Sequence, residues 1–370
     1  MRFNASNRTE VVLAAVRRWR GGVTALVICA LVALSTLAVE GQTSSSIPAP
    51  PGATGIAQPA STPNAAPAPQ SNGTTTAPPP QAEQQAPADG QDSVFVFKKE
   101  VQEVMLHATV VDDQRHLVTN LDKSAFTVFE DGVAQKTTSF HRDDVPVAMG
   151  IVIDNSGSMR EKRDKVNQAV LNLIKASNPN DEIFVVNFSQ DSYLDQDFTS
   201  DINLLQQALH KVSAQGNTAL YDAIVASAVH LKNNPRIERK VLLVVTDGRD
   251  NASQETLQQA ARRLQQENGP TLYGIGLLSV ELQQSGIDAL QSLADSTGGV
   301  AFFPKGLDEV DEITRTVARD IRSQYTIGYK PSNPRQDSGY RRIFVAAQAP
   351  GYRKLTVRTR SGYYTGEAVR

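Results

Sequence analysis

Cysteine is nearly absent from this chain, which has a single one, Cys29, among 370 residues. The folded part therefore has no disulfide bond, no thiolate metal site and no cysteine nucleophile. The chain also lacks an excess of either charge, since it has 37 basic and 39 acidic residues. With a formal net charge of −2, the chain has no global field that would attract it to nucleic acid or anionic lipid.

Several sequence motifs of known chemistry are missing as well. There is no Gly-x-x-x-x-Gly-Lys-Ser/Thr phosphate loop, which argues against a nucleotide motor. No Gly-x-Ser-x-Gly elbow follows a strand, as a serine hydrolase of that class would need. The sequence from Asp154 does not match a calcium-binding EF-hand loop, because Met159 and Lys165 occupy the positions where that loop requires glycine and glutamate. The five histidines are scattered along the chain and are interpreted as surface or structural residues.

The N-terminal 40 residues have the pattern of an export segment. Residues 1–20 contain five arginines and one acidic residue, and the run from Val23 to Val39 is almost wholly apolar. This pattern predicts a signal peptide or a signal anchor over residues 1–40. The apolar run is long for a signal peptide and barely long enough to span a bilayer, so cleavage and membrane anchoring both stay open. The expected location is outside the cytoplasm: secreted, periplasmic or membrane-tethered.

Residues 41–92 form a compositionally distinct segment. They hold eleven of the nineteen prolines, together with much alanine, serine, threonine and glutamine, and almost no large apolar residues. Such a segment cannot bury enough apolar surface to offset its chain entropy. It is therefore predicted to be a disordered, fairly extended linker.

Two β-rich segments, 93–145 and 323–370, flank the centre of the chain. In the first, residues 104–111 alternate in polarity, and residues 130–132 form a turn between strands at 126–129 and 133–140. In the second, strands are predicted at 325–330, 342–346 and 354–359. Neither segment is large enough to form a core alone. We expect them to pair into one β-sandwich from which the central domain emerges as an insertion.

The central segment, 146–322, alternates strands with helices. Short apolar runs predict buried parallel strands at 148–153, 183–188, 241–245, 271–277 and 300–303. Apolar residues at helical spacing predict helices over 166–174, 220–231 and 310–321. Repeated strand–helix alternation indicates an α/β fold with a doubly wound, mostly parallel, Rossmann-like sheet. Residues 192–199 are expected to add a short antiparallel edge strand.

Oxygen-bearing side chains follow two of these strands and precede one helix. Ligands of open α/β sheets bind just beyond the carboxyl ends of the strands, so these side chains should share one edge. They supply two carboxylates and three hydroxyls, a set suited to a hard divalent cation such as magnesium, with manganese or calcium as alternatives. The predicted metal ligands are Asp154, Ser156, Ser158, Thr218 and Asp247.

The same residues carry a family resemblance. Asp-x-Ser-x-Ser at 154–158, the threonine of Gly-Asn-Thr-Ala-Leu-Tyr-Asp at 216–222 and Thr-Asp-Gly at 246–248 resemble the von Willebrand factor type A domain. The resemblance covers about 146–322, and its motifs match that family's metal-ion-dependent adhesion site. It implies that the three hydroxyls bind the cation, with both aspartates acting directly or through water. The layout, including Tyr-Thr-Ile-Gly-Tyr at 325–329, also resembles bacterial secreted von Willebrand A-related proteins.

Simpler interpretations exist for each motif taken alone. Asp-Asn-Ser-Gly-Ser and Thr218 are good helix caps, and Thr-Asp-Gly is an ordinary turn. Nearby Asp222 is interpreted as a surface residue, and Asp250 and Asn251 as turn or capping residues. The combination nevertheless predicts a non-enzymatic module whose cation binds a carboxylate on a protein partner. The alternatives are a structural envelope scaffold with a non-essential metal site and a metal-assisted hydrolase, which lacks a general base.

Overall fold

The computed structural model describes residues 103–366, apart from 212–213, 235, 278, 280–281 and 334–338. The predicted export segment at 1–40 and linker at 41–92 lie outside the described residues. In the part of the chain that the structure describes, no helix is long and apolar enough to cross a membrane.

The described residues form fourteen β-strands and six α-helices, numbered here in chain order. The strands are β1 (Val104–Val111), β2 (Phe126–Glu130), β3 (Val133–Gln135), β4 (Thr137–His141), β5 (Val147–Asp154), β6 (Glu182–Phe188), β7 (Ser192–Thr199), β8 (Arg239–Thr246), β9 (Thr271–Gly276), β10 (Ala301–Phe302), β11 (Tyr325–Tyr329), β12 (Tyr340–Ala347), β13 (Thr356–Arg358) and β14 (Gly362–Tyr364). The helices are α1 (Arg163–Lys175), α2 (Ile202–His210), α3 (Leu220–Lys232), α4 (Leu257–Leu264), α5 (Gln283–Thr297) and α6 (Val310–Arg322).

The central domain contains a six-stranded sheet in the order β10-β9-β8-β5-β6-β7. Neighbouring strands run parallel from β10 to β6, whereas β7 pairs antiparallel with β6 at the edge. Every residue of β5, β8 and β9 is buried, as expected for strands covered on both faces. The predicted doubly wound, mostly parallel sheet is confirmed, and so is its antiparallel edge strand.

Helices cover both faces of this sheet because successive residues of a strand point to opposite sides. On one face, Met149, Ile151 and Ile153 pack in a core with apolar residues of α1, α2 and α6. On the other face, Ala148 and Val152 pack in a core with residues of α3, α4 and α5. The two cores hold β5 rigidly at the centre of the sheet, which fixes the position of its carboxyl end.

The two flanking β-rich segments form two four-stranded sheets, β13-β1-β11-β4 and β14-β12-β2-β3. Their facing sides share one core, in which Leu106 and Ile327 of the first sheet join Val128 and Val345 of the second. The expected β-sandwich is therefore present. The α/β domain lies in sequence between β4 and β11, which pair antiparallel, and it is thus an insertion in the sandwich.

One strand prediction was wrong in detail. Residues 133–140, expected to be a single strand, form two short strands in different sheets. Gln135 still pairs with Val128 in the β2–β3 hairpin, but Thr137 already pairs with Tyr329 in the other sheet. The chain thus crosses from one sheet to the other at Lys136. The residues before Lys136 complete the β2–β3 hairpin, and those after it form an edge strand of the facing sheet.

A polar junction joins the sandwich to the inserted domain. The buried Arg239 at the start of β8 donates hydrogen bonds to Thr326 Oγ1 of β11 at 3.0 Å and to the Ile321 carbonyl at 3.3 Å. The half-buried His107 of β1 lies 3.3 Å from the same hydroxyl through Nδ1. Burial, with the neighbouring charges of Arg239 and Arg360, lowers the pKa of His107 to about 3. This histidine is therefore neutral in the folded protein over most of the acid range.

We expect His107 to make the fold sensitive to acid. Below pH ~6.5 the unfolded chain binds a proton at this histidine and the folded chain does not, so stability falls as the pH drops from about 6.5 towards 3. Between pH 7 and pH 5, wild type should lose about 2 kcal/mol more unfolding free energy than His107→Gln, measured by urea denaturation. Parallel losses in the two proteins would show that His107 takes up its proton in the folded state.

Candidate functional site

The carboxyl ends of β5 and β8 lie side by side at one edge of the central sheet. These strands are parallel neighbours, with Ile153 paired to Val245, so the residues that follow them emerge together. Asp154 is the last residue of β5, and Thr246 is the last residue of β8. The two motifs predicted to meet at this edge, Asp-x-Ser-x-Ser and Thr-Asp-Gly, therefore do so.

Asp154 is fully buried, and both of its carboxylate oxygens accept hydrogen bonds. Oδ1 accepts from the backbone N–H of Ser156 at 2.8 Å, which shapes the loop that follows. Oδ2 accepts from the Thr246 hydroxyl at 2.6 Å, which ties the ends of the two strands together. Burial raises the pKa of Asp154, hydrogen bonds from Thr246 and Ser156 oppose the rise, and the nearby charge of Asp247 adds to it.

A chain of short contacts connects three more of the predicted ligands. The hydroxyl oxygens of Ser156 and Ser158 are 3.2 Å apart. Ser158 donates to Oδ1 of Asp247 at 2.8 Å, and Asp247 is as fully buried as Asp154. The two serines, two residues apart, thus face the same point as the two carboxylates.

Thr218 reaches the same place from the loop before α3. A Cβ built on Gly248 would lie 3.2 Å from the Thr218 hydroxyl, so the threonine packs directly against the Thr-Asp-Gly turn. Because Gly248 has no side chain, the hydroxyl group of Thr218 has space beside this turn. The structure therefore brings together all five residues predicted to hold the cation.

Asn251 positions Thr218. Its Oδ1 accepts from the Thr218 backbone N–H at 2.9 Å, and its own N–H donates to the Thr218 carbonyl at 2.9 Å. The sequence alone suggested only a turn or capping role for Asn251. Asp222, interpreted from the sequence as a surface residue, accepts hydrogen bonds from the backbone N–H groups of Gln254 and Glu255. It thereby stabilises the loop that carries Asn251.

Two basic residues at the site were missed in the sequence analysis. The buried Arg163 donates to Asn187 Oδ1 at 2.8 Å and to the carbonyls of Leu209 and Asp154 at 3.1 and 3.4 Å, which anchors the end of β5. Burial lowers the pKa of Arg163 to about 10. The ammonium of Lys162 contacts Oδ2 of Asp247. Their position just after Asp-x-Ser-x-Ser was the signal that could have identified them.

The donor set fits a hard divalent cation. The oxygen pairs Ser156–Ser158 and Ser158–Asp247 are separated by 3.2 and 2.8 Å. Neighbouring ligand atoms of octahedral magnesium are about 3.0 Å apart, given metal–oxygen bonds of about 2.1 Å at right angles. Among the described residues, no group of three or more His, Cys, Asp or Glu side chains could hold a metal ion. A cation at the candidate site would therefore need the hydroxyl groups as ligands.

A cleft of about 520 Å³ borders the site on the side of β6 and β7. It begins at Asn155 in the Asp-x-Ser-x-Ser loop and extends to Tyr193 on the edge strand, whose side chain is 55% exposed. Asp195 and Lys211 also line it, so the cleft offers both charge signs beside an aromatic ring. A partner that reaches the candidate metal site would have this surface next to it.

Residues 149–249 match the family model of the von Willebrand factor type A domain. No curated protein matches the chain significantly. Among solved structures, the chain is similar to a von Willebrand factor type A protein from Catenulispora acidiphila, with 15% identity over 70% of this chain and 73% of that chain and a TM-score of 0.42.

Two further structures show similar likenesses. One is the PilB minor pilin from Streptococcus sanguinis, with 14% identity, 49% of this chain and 62% of that chain covered, and a TM-score of 0.41. The other is proximal thread matrix protein 1 from the mussel byssus with a zinc-occupied MIDAS motif, with 16% identity, 52% and 49% covered, and a TM-score of 0.43. This chain thus spans less than two thirds of the pilin's length and about half the length of the thread matrix protein.

Proposed function

Because the chain carries a von Willebrand factor type A domain, we propose that it is a non-catalytic binding module that works outside the cytoplasm. A divalent cation, magnesium in the first instance, binds at Asp154, Ser156, Ser158, Thr218 and Asp247. There it attracts a carboxylate from a protein partner.

One observation carries the proposal: two fully buried carboxylates, Asp154 and Asp247, lie close to each other and to hydroxyl groups at the carboxyl edge of the sheet. Burying a carboxylate is costly unless a counter-charge accompanies it. Two carboxylates roughly neutralise a divalent cation, and the hydroxyls add no charge. A bound cation would therefore keep its attraction for an outside anion, which suits adhesion.

The proposed location rests on the sequence. The basic and apolar N-terminal run predicts export, and the composition of residues 41–92 predicts a linker that would give distance between a membrane or cell wall and the folded part. A binding module at the end of such a linker can reach partners beyond the surface that carries it. Residues 41–370 contain no cysteine, so this part of the chain needs no oxidising compartment to fold. The lack of disulfide bonds is compatible with export when the core is large enough.

The proposal predicts capture that depends on both cation and site. Immobilised wild type, with magnesium, should retain a partner from native envelope or culture medium, and excess chelator should release it. Asp154→Ala should lose divalent-cation binding and capture together, because it removes one of the two buried carboxylates. Amidation of carboxylates in the extract before capture should also abolish retention.

Asp197→Ala serves as the matched control, because Asp197 lies on β7 with a side chain that is 66% exposed and its partner there is His230. This variant should capture the partner as wild type does. Capture that persists unchanged in excess chelator would refute the proposal. Loss of capture with amidation alone, without any metal dependence, would support the scaffold alternative.

A further inference from the structure

Lys162 contacts the candidate metal site directly. Its ammonium meets Oδ2 of Asp247, while Ser158 donates to Oδ1 of the same carboxylate. Both oxygens of this proposed ligand are thus engaged in the described structure. Among the described residues, no other basic side chain forms an ion pair with Asp154 or Asp247.

The backbone places Lys162 for this contact. Lys162 lies four residues after Ser158, and its N–H donates to the Met159 carbonyl at 2.9 Å, so its backbone is held in the turn that opens α1. Its side chain is 23% exposed, whereas that of Asp247 is fully buried. The lysine therefore enters from the rim, and its flexible stem can carry the ammonium back into solvent.

We propose that Lys162 is a tethered cation that occupies the divalent-cation site and competes with the metal for Asp247. The inference rests on the proposed function for the location of the metal site. An ammonium supplies one positive charge to two buried carboxylates, and a divalent cation supplies two. Entry of the metal must therefore displace Lys162. The lysine thus lowers metal affinity, and in the cation-free protein it compensates the charge of Asp247.

The expected result is tighter metal binding when the ammonium is removed. Lys162→Met keeps the aliphatic stem and deletes the charge. It should bind Mg²⁺ and Mn²⁺ about 10- to 100-fold more tightly than wild type. The metal would no longer have to break the charged hydrogen bond between Lys162 and Asp247. The measurement is isothermal titration of chelator-treated protein with each metal chloride.

Lys165→Met is the matched control. It removes the same charge three residues further along, where Lys165 is 57% exposed and pairs with Asp308. Its metal affinity should stay within about twofold of wild type, which separates occupancy of the site from a change in net charge. Lys162→Arg, which keeps a cation beside Asp247, should gain much less affinity than Lys162→Met.

Thermal unfolding supplies a second readout. In chelator, Lys162→Met should melt below wild type because the buried carboxylate of Asp247 loses its counter-charge. Saturating magnesium should raise its melting temperature by more than it raises that of wild type. If Lys162→Met does not fold without metal, Lys162→Gln provides the same comparison with a neutral polar side chain.

The outcomes separate this inference from the proposed function. Equal affinities of Lys162→Met and Lys165→Met would overturn the inference while leaving a metal-dependent binding module intact. Weaker binding by Lys162→Met would also overturn it, since the lysine would then support the site. Tighter binding by Lys162→Met with metal-independent partner capture would uphold the inference and reject the proposed function. Absence of metal binding in wild type and in every Lys162 variant would overturn both the inference and the proposed function.

Discussion

Asp247→Asn should weaken divalent-cation binding by at least about 100-fold, more than the loss of an outer-shell partner usually costs. The amide keeps the shape of the side chain, and its oxygen can still accept from Ser158. It removes one of the two charges that balance a divalent cation. Isothermal titration with Mg²⁺ and Mn²⁺ measures the loss directly.

Asp308→Asn is the control for this change, since it also removes one negative charge and its side chain is 92% exposed. Its metal affinity should equal that of wild type. The Asp247→Asn variant should also unfold within a few degrees of wild type in chelator, because Lys162 can move into solvent when its partner is neutral. Metal binding by Asp247→Asn at wild-type strength would mean that the cation is held elsewhere.

The largest stability loss is expected in the sandwich, at Glu130. This buried carboxylate accepts from Arg341 at 2.8 Å, from the Tyr329 hydroxyl at 2.5 Å and from the Tyr363 hydroxyl at 3.0 Å. Glu130→Ala leaves a guanidinium that is 5% exposed without its ion-pair partner and two buried hydroxyls without this acceptor. Breaking such a pair costs about 3–5 kcal/mol.

Differential scanning calorimetry should show this loss as a melting temperature lower by roughly 6–20 °C. The double variant Glu130→Ala/Arg341→Ala should be less destabilised than the sum of the two single variants, because it leaves no unpaired buried charge. Additive losses would show that Glu130 and Arg341 do not act as a pair. Metal affinity should be unchanged in the folded fraction, since the cluster lies in the sandwich.

Burial made the central sheet predictable. Strands covered on both faces read as short apolar runs, and the predicted run at 148–153 differs from β5 by one residue at each end. The helices α2, α4 and α5 were not predicted. Two of them are short, and α4 buries only Ala260 and Leu264, too few apolar positions to show a helical period in sequence.

The convergence of the five candidate residues was predictable for a different reason. Asp154, Ser156 and Ser158 lie within five residues, and parallel strands bring the Thr-Asp-Gly turn to the same edge whatever the details of packing. The contact of Lys162 with Asp247 depends on where a helix starts and how a long side chain turns, and neither is encoded in a local pattern. The positioning role of Asn251 was missed because it depends on a hydrogen bond to the backbone of Thr218, 33 residues away.

The position of the α/β domain between β4 and β11 has a consequence for folding order. His141 and Thr326 are paired neighbours in the sandwich although more than 180 residues separate them in sequence. Left unfolded, the intervening chain would impose a large loop-closure entropy on that pairing. Once folded, the domain holds its two ends close together. Assembly of the α/β domain should therefore precede closure of the sandwich. A chain with a formed sandwich should then also have a folded α/β domain.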